Sequence, residues 1–250
     1  MKIDIYTLMY NEEKIIPFVI QYWDRLNECG VLNNVYILNN ESTDNSVNMV
    51  KDLPYVQIIN WTSNNTFDDI ANMQIKNSVW KNSRGKVDYV YVCDFDEVLY
   101  GKDIVKSLEK YKADGIDIIE TDWWNLVSDT FPTKDDNLLV HELSYIKGVN
   151  NEHDKILLFN PNIENMNYSV GAHTCRPTSS AYAKAKDIHT FHLTAELSLE
   201  YKLSKFHRNK ERLSDNNKRF GLGTHYLWNE NKIKEDYLTW LNKANKISIK

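Results

Sequence analysis

Residues 87–100 read VDYVYVCDFDEVLY. The stretch from Val87 to Cys93 is rich in β-branched and aromatic residues, the composition of a strand buried on both faces. Three carboxylates follow within four positions, Asp94, Asp96 and Glu97, and the chain then turns apolar again. Like charges at the end of a buried strand repel one another and resist desolvation. The pattern therefore predicts a strand that stops at a rim, where something cationic meets the acids.

Three similar runs precede it: KIDIYTLMY (2–10), NNVYILNN (33–40) and YVQIINW (55–61). Helical segments separate them. Between 11 and 30, Ile15, Ile16, Val19, Tyr22, Trp23 and Leu26 recur at helical spacing. Pro17 sits near the start of that helix, where a missing N–H is tolerated, and Gly30 ends it. Residues 41–53 read as a turn into a helix, with Ser42 or Thr43 as cap, and residues 66–85 as a third helix. A β-α-β-α-β-α-β order implies the α/β class and a parallel sheet. Ligands of such sheets lie beyond the carboxyl ends of the strands, and there the chain places its polar tails: Asn11–Glu13, Asn39–Asp44 and Asp94–Glu97.

The second half is less regular. Residues 102–115 predict a helix, 116–127 a strand, 155–174 a strand, turn and strand, and 188–194 a short strand carrying two histidines. From Glu196 onward the spacing is helical. The division expected is a sheet half (1–100), a second half of the same domain (101–195) and a helical C-terminal segment (196–250).

Composition narrows the function. The chain has 250 residues, 42% hydrophobic and 26% charged, with a formal net charge of −5, which implies no nucleic-acid partner. Fifteen tyrosines and seven tryptophans suit a core or a sugar-binding surface. Three scattered cysteines, Cys29, Cys93 and Cys175, make no disulfide framework or zinc motif and fit a reducing compartment. The expectation is a cytoplasmic chain with neither signal peptide nor membrane span.

Asp94 and Asp96 alone read more often as an acidic solvated turn than as the ligands of a divalent cation, which takes oxygen donors and shares them with phosphates. The wider chain resembles the GT-A-fold glycosyltransferases, of the family 2 and family 92-like kind. The resemblance rests on YNEEKIIPFVIQYW followed by GVLNNVYILNNESTDNS, on DYVYVCDFDEVLY, on GAHT (171–174) and on IHTFHLTAELSLEYKLSKFHR (188–208), in that order across roughly residues 3–212. It implies a Rossmann-like, mostly parallel sheet flanked by helices. It also implies a metal-dependent, inverting transfer of a sugar from a UDP- or GDP-linked donor to a glycan or lipid-linked glycan acceptor.

On that resemblance the base and ribose rest on Thr7, Asn11, Glu13 and Asn40, with Asp44 shaping the turn. Asn39 stands where many relatives carry Asp and could touch the nucleobase. Asp94 contacts ribose or metal, and Mn or Mg is ligated by Asp94, Asp96 and His192, with His189 the alternate. Glu97 braces the loop or points toward the acceptor. Lys76 faces the donor or solvent, and Lys205 or Arg208 folds over the diphosphate or lies on a solvated helix face. If the transfer inverts, the candidate bases are Asp122 in ETDWW and then Asp154. Trp228, Trp240 and the lysines of the tail offer a peripheral membrane contact. Two other readings compete: a haloacid-dehalogenase-type Mg-dependent phosphatase with Asp94 as nucleophile and Asp96 as acid, and a sugar-binding protein without catalysis.

Overall fold

The computed structural model describes residues 1–150 and 155–249. Four strands, β1 (Ile3–Met9), β2 (Leu32–Asn39), β3 (Val56–Asn60) and β4 (Tyr89–Asp94), pair in parallel in the order β3-β2-β1-β4. The expected α/β class and parallel first half are therefore present. Beyond β4 the sheet continues through β8 (Leu158–Phe159), β6 (Ile118–Val127), β9 (Tyr182–His192) and β5 (Glu97–Tyr100), with β7 (Lys147–Asn150) on the flank of β6. Here the pairings are antiparallel except for β6 with β9.

Helix α1 (Ile16–Glu28) lays Ile16, Phe18, Val19, Tyr22, Trp23 and Leu26 into the core. Its end is fixed as expected: Gly30 adopts φ +72, a left-handed conformation that a side chain disfavours. The core divides into two clusters. One gathers α1, the inner side of β1 to β3 and Phe191; the other gathers Tyr6, Trp80, Phe159, Met166 and Tyr168. Each large apolar side chain fully buried in them contributes about 1.5–3 kcal/mol.

Several elements differ from the sequence expectation. The helix expected over 41–53 shrinks to α2 (Ser46–Val50), because Ser42 and Thr43 bond to Asn11 instead of capping it. The helix over 66–85 splits into α3 (Asp69–Lys76) and a short 3-10 segment, Val79–Ser83. Asn77 at the break donates to Tyr168 O and accepts from Tyr168 N, bonds that tie the chain sideways. Of residues 155–174 only Leu158–Phe159 joins the ladder; Pro161, two residues on, has no N–H to continue it. The strand expected at 188–194 instead starts at Tyr182, in a run of alanines and lysines with little strand preference.

Helix α4 (Ile104–Ala113) leads from β5 to β6, and α5 (Leu199–Glu211), α6 (Asp215–Phe220) and α7 (Glu230–Lys243) form the helical C-terminal segment. Ser198, Ser214 and Asn229 cap these last three by accepting from Tyr201 N, Asn217 N and Lys232 N. Lys202 of α5 is fully buried and places its ammonium 2.5 Å from both Glu196 and Asp236, joining α5 to α7. Tyr237 of α7 donates to Ser128 O at 2.6 Å, and Asn245 pairs with Gly148 beside β7. Among the described residues no helix is long and apolar enough to cross a membrane.

Replacing Lys202 with Met removes the one positive charge shared by two acids. A loss of about 3–5 kcal/mol is expected, since a broken buried ion pair leaves uncompensated charge. Urea unfolding of the wild type and K202M measures it; a change under about 1 kcal/mol contradicts the assignment.

Candidate active site

The acidic stretch marks a fork in the chain. Strand β4 ends at Asp94, paired with β1 and β8; after Phe95 and Asp96 the chain leaves as β5 to pair with β9 at the other end of the sheet. The two strands separate at this point, with Asp94 at the end of one and Glu97 at the start of the other. Leu193 N donates to Asp96 O at 2.7 Å and fastens the turn to the end of β9. Glu97 braces it from inside: its Oε2 accepts from Asp94 N at 2.8 Å, and its side chain is 0% exposed.

Ammonium groups meet these acids. Lys76 Nζ lies 2.6 Å from Asp94 Oδ1, and Lys155 Nζ lies 2.8 Å from Asp94 Oδ2 and 2.5 Å from Glu97 Oε1. Lys205 Nζ lies 2.5 Å from Asp96 Oδ2. Burial opposes the charge of Asp94, but Lys155 and Lys76 outweigh it and hold the carboxyl far below its ordinary range. Asp96 is likewise held down against its burial by Lys205 and His192. The lysines answer in kind: burial would discharge Lys155 and Lys205, and their carboxylate partners keep both firmly protonated.

His192 Nδ1 lies 2.9 Å from Asn125 Oδ1, and its Nε2 lies 3.5 Å from Asp96 Oδ1. Burial works against its charge, yet the Asp96 carboxylate holds the imidazole above its ordinary range. His189 goes elsewhere, to Asp122 Oδ2 at 2.9 Å. Of the two histidines, His192 is therefore the one at the acidic rim.

A bound Mg or Mn is what the resemblance asks of Asp94, Asp96 and His192. Among the described residues no three or more histidine, cysteine or carboxylate side chains are arranged to hold a metal. Both oxygens of Asp94 and one of Asp96 face ammonium groups, which leaves Asp96 Oδ1 and His192 Nε2. The charge is balanced as well: Asp94, Asp96, Glu97 and Glu12 are matched by Lys76, Lys155, Lys205 and Arg208. A hard dication needs an excess of negative oxygen donors. This donor set does not fit one.

Of the residues expected at the base and ribose, Asn11, Glu13, Asn39 and Asn40 are engaged within or beside their own loops. Asn11, at φ +53, accepts from Thr43 N at 2.7 Å and Asp44 N at 3.3 Å. Glu13 accepts from Asn45 N, while Asp44 accepts from Ser46 N and Glu13 N and so does shape the turn. Asn39 bridges Asn60 and Ser42 N, and Asn40 bonds Ser63. Thr7 is buried within β1 opposite Cys93. Asn11, Glu13, Asn39, Asn40 and Asp44 together tie the loops to one another. Lys76 is buried against Asp94, not solvated.

Helix α5 covers the rim. Tyr201, Lys205, Arg208 and Arg212 recur along one face of it. Lys205 reaches Asp96; Arg208 donates to Asn11 O and lies 2.9 Å from Glu12; Arg212, at the cap, stacks 3.1 Å over the Tyr10 ring.

Asp122 does not join them. Along β6, Asp122 and Trp124 share one face and Trp123 and Asn125 the other, and Asn125 is the partner of His192. Asp122 accepts from Trp124 Nε1, Asn150 Nδ2 and His189 on the face away from the rim. Against burial, these donors lower its pKa. The other candidate base, Asp154, lies outside the described residues.

Sequence reading missed Lys155, Asn125, Glu12 and the Tyr10–Arg212 stack. Lys155 heads an apolar run, KILLF, which gives no hint that its ammonium turns back to β4. Asn125 could have been found by register: it sits three residues after Asp122 just as His192 sits three after His189.

Lys155→Met should cost about 3–5 kcal/mol, because Glu97 would keep a buried charge without a partner. The double variant Lys155→Met/Glu97→Gln should recover at least about 1 kcal/mol of that. Chemical denaturation of the three proteins tests this; additive losses would show that the two groups are not coupled.

No protein-family model matches the chain, and no curated protein matches its sequence. Among solved structures it is similar to S. aureus TarS 1-349, at 13% identity and a TM-score of 0.49 over 97% of this chain and 79% of that one. It is also similar to S. aureus TarS 1-349 in complex with UDP, at 12% identity and a TM-score of 0.46 over 97% of this chain and 71% of that one. A further structure of S. aureus TarS matches at 11% identity and a TM-score of 0.46, over 97% of this chain but only 43% of that longer one.

Proposed function

We propose that the protein is a glycosyltransferase that moves a sugar from a UDP- or GDP-linked donor to a hydroxyl of a glycan acceptor. One observation carries the reading: Lys205 and Arg208 of α5 lie over the carboxyl ends of parallel strands β1 and β4, against Asp96 and Glu12. Fixed cations at that place match the charge that grows on a departing nucleoside diphosphate, and preorganised charge of this kind lowers a barrier more than mobile solvent does. Asp94, the most open of the rim acids at 37% side-chain exposure, has its charge neutralised by Lys76 and Lys155, but the second lone pair on each oxygen can accept from ribose hydroxyls.

The phosphatase alternative is less well supported. A nucleophilic Asp94 needs an oxygen whose negative charge is not neutralised, and both of its oxygens carry ion pairs.

UDP, GDP and their sugars are the probes. At about 100 times its Kd, a ligand that binds the native state stabilises by about 2.7 kcal/mol, a rise of roughly 5 °C or more for a chain of this size. At least one of these nucleotides should produce such a rise by thermal shift. Arg208→Ala should weaken that ligand about tenfold, the loss of one charge-assisted contact, and a generic phosphate monoester with Mg²⁺ should not be hydrolysed. Absence of any shift across the panel, with and without Mn²⁺, would sink the proposal.

A further inference from the structure

The rim poses a problem for a diphosphate: phosphate oxygens approaching Asp96 meet another anion. In metal-assisted phosphate chemistry a dication bridges such a pair. Here the donor set does not suit a dication, and an ammonium already touches the carboxylate.

We infer, on the glycosyltransferase reading above, that Lys205 is the cation joining Asp96 to the donor's diphosphate, so that nucleotide binding needs no divalent metal.

Three features support it. First, an ammonium has three N–H donors and no acceptor. Asp96 Oδ2 at 2.5 Å is the one acceptor that Lys205 Nζ meets among the described residues, so donors remain for phosphate oxygens while the carboxylate keeps its own. Second, the neighbouring acids make no competing demand. Asp94 and Glu97 are matched by Lys76 and Lys155, and His192 flanks the other Asp96 oxygen at 3.5 Å. The local field on the α5 side is therefore set by Lys205 and by Arg208, one turn further along. Third, Lys205 is held in place. Its side chain is 14% exposed and runs beside the Tyr201 ring, with the ammonium 5.9 Å from the ring centre. Little side-chain freedom remains to be lost when a ligand arrives, which favours binding.

A lysine in this role also implies a preference. A point charge flanked by an arginine binds two linked phosphates better than one, so nucleoside diphosphates should bind more tightly than the corresponding monophosphates.

Isothermal titration of UDP and GDP into the 250-residue chain, in EDTA and again in Mn²⁺, is the test. The expected result is a Kd that agrees within about threefold between the two conditions. Lys205→Met should weaken binding about tenfold or more. Because that variant strands a buried carboxylate, Asp96→Asn/Lys205→Met, which removes both charges together, serves as the second variant. It should stay folded by circular dichroism, bind at least about tenfold more weakly, and gain nothing from Mn²⁺. A loss of about tenfold or more on adding EDTA to the wild type overturns the inference and leaves the glycosyltransferase reading intact. So does a folded double variant that binds like the wild type. If neither nucleotide binds in either condition, the glycosyltransferase reading falls and this inference falls with it.

Discussion

The contact between Lys155 and Glu97, at 2.5 Å with the carboxylate fully enclosed, is the interaction on which the rim depends. Glu97 accepts from Asp94 N at the point where β4 gives way to β5. Without a charged partner, a carboxylate in that position would either protonate or draw water into the fork. Lys155 supplies the charge and, through Asp94 Oδ2, passes the constraint to the next acid. Lys76 closes the set from α3. A chain can leave one half of a sheet for the other only where its backbone groups find new partners. The ion cluster makes that exit rigid.

The sheet was largely legible because its first half is built of continuous apolar runs separated by helical spacing, a pattern that local propensity and burial both favour. The strand ends fell where the polar tails begin. The second half was less legible for definite reasons. Leu158–Phe159 is too short to stand out from its apolar surroundings, and the first part of β9 is alanine and lysine, residues whose strand content comes from pairing with β6 and not from their own preference.

The rim shows a different limit. Asp94 and Asp96 could be singled out because charge at a buried strand's end is visible in a short window. What neutralises that charge could not. Lys76, Lys155 and Lys205 stand 18, 61 and 109 residues from their partners, and each lies in a segment where a lysine is unremarkable. Compensation of a buried charge is a property of tertiary structure, so a sequence shows that a cation is required without showing which one. A divalent metal was the simplest candidate from sequence; three ammonium groups satisfy the same demand.

The same reasoning bears on the asparagines at the strand ends. Asn11, Asn39 and Asn40 lie where nucleotide-contacting residues are expected, yet their amides bond to Thr43, Asp44, Ser42, Asn60 and Ser63. Both ends of an amide can be satisfied locally, which is why such residues favour loops. Bonded this way, they hold the β1 and β2 loops against each other and bring Asn11 O to Arg208. The cations of α5 are thus positioned by loops whose own polarity is satisfied. The charged groups that these loops do not use are the Asp94 carboxylate, paired with Lys76 and Lys155, and the Lys205 ammonium beside Asp96.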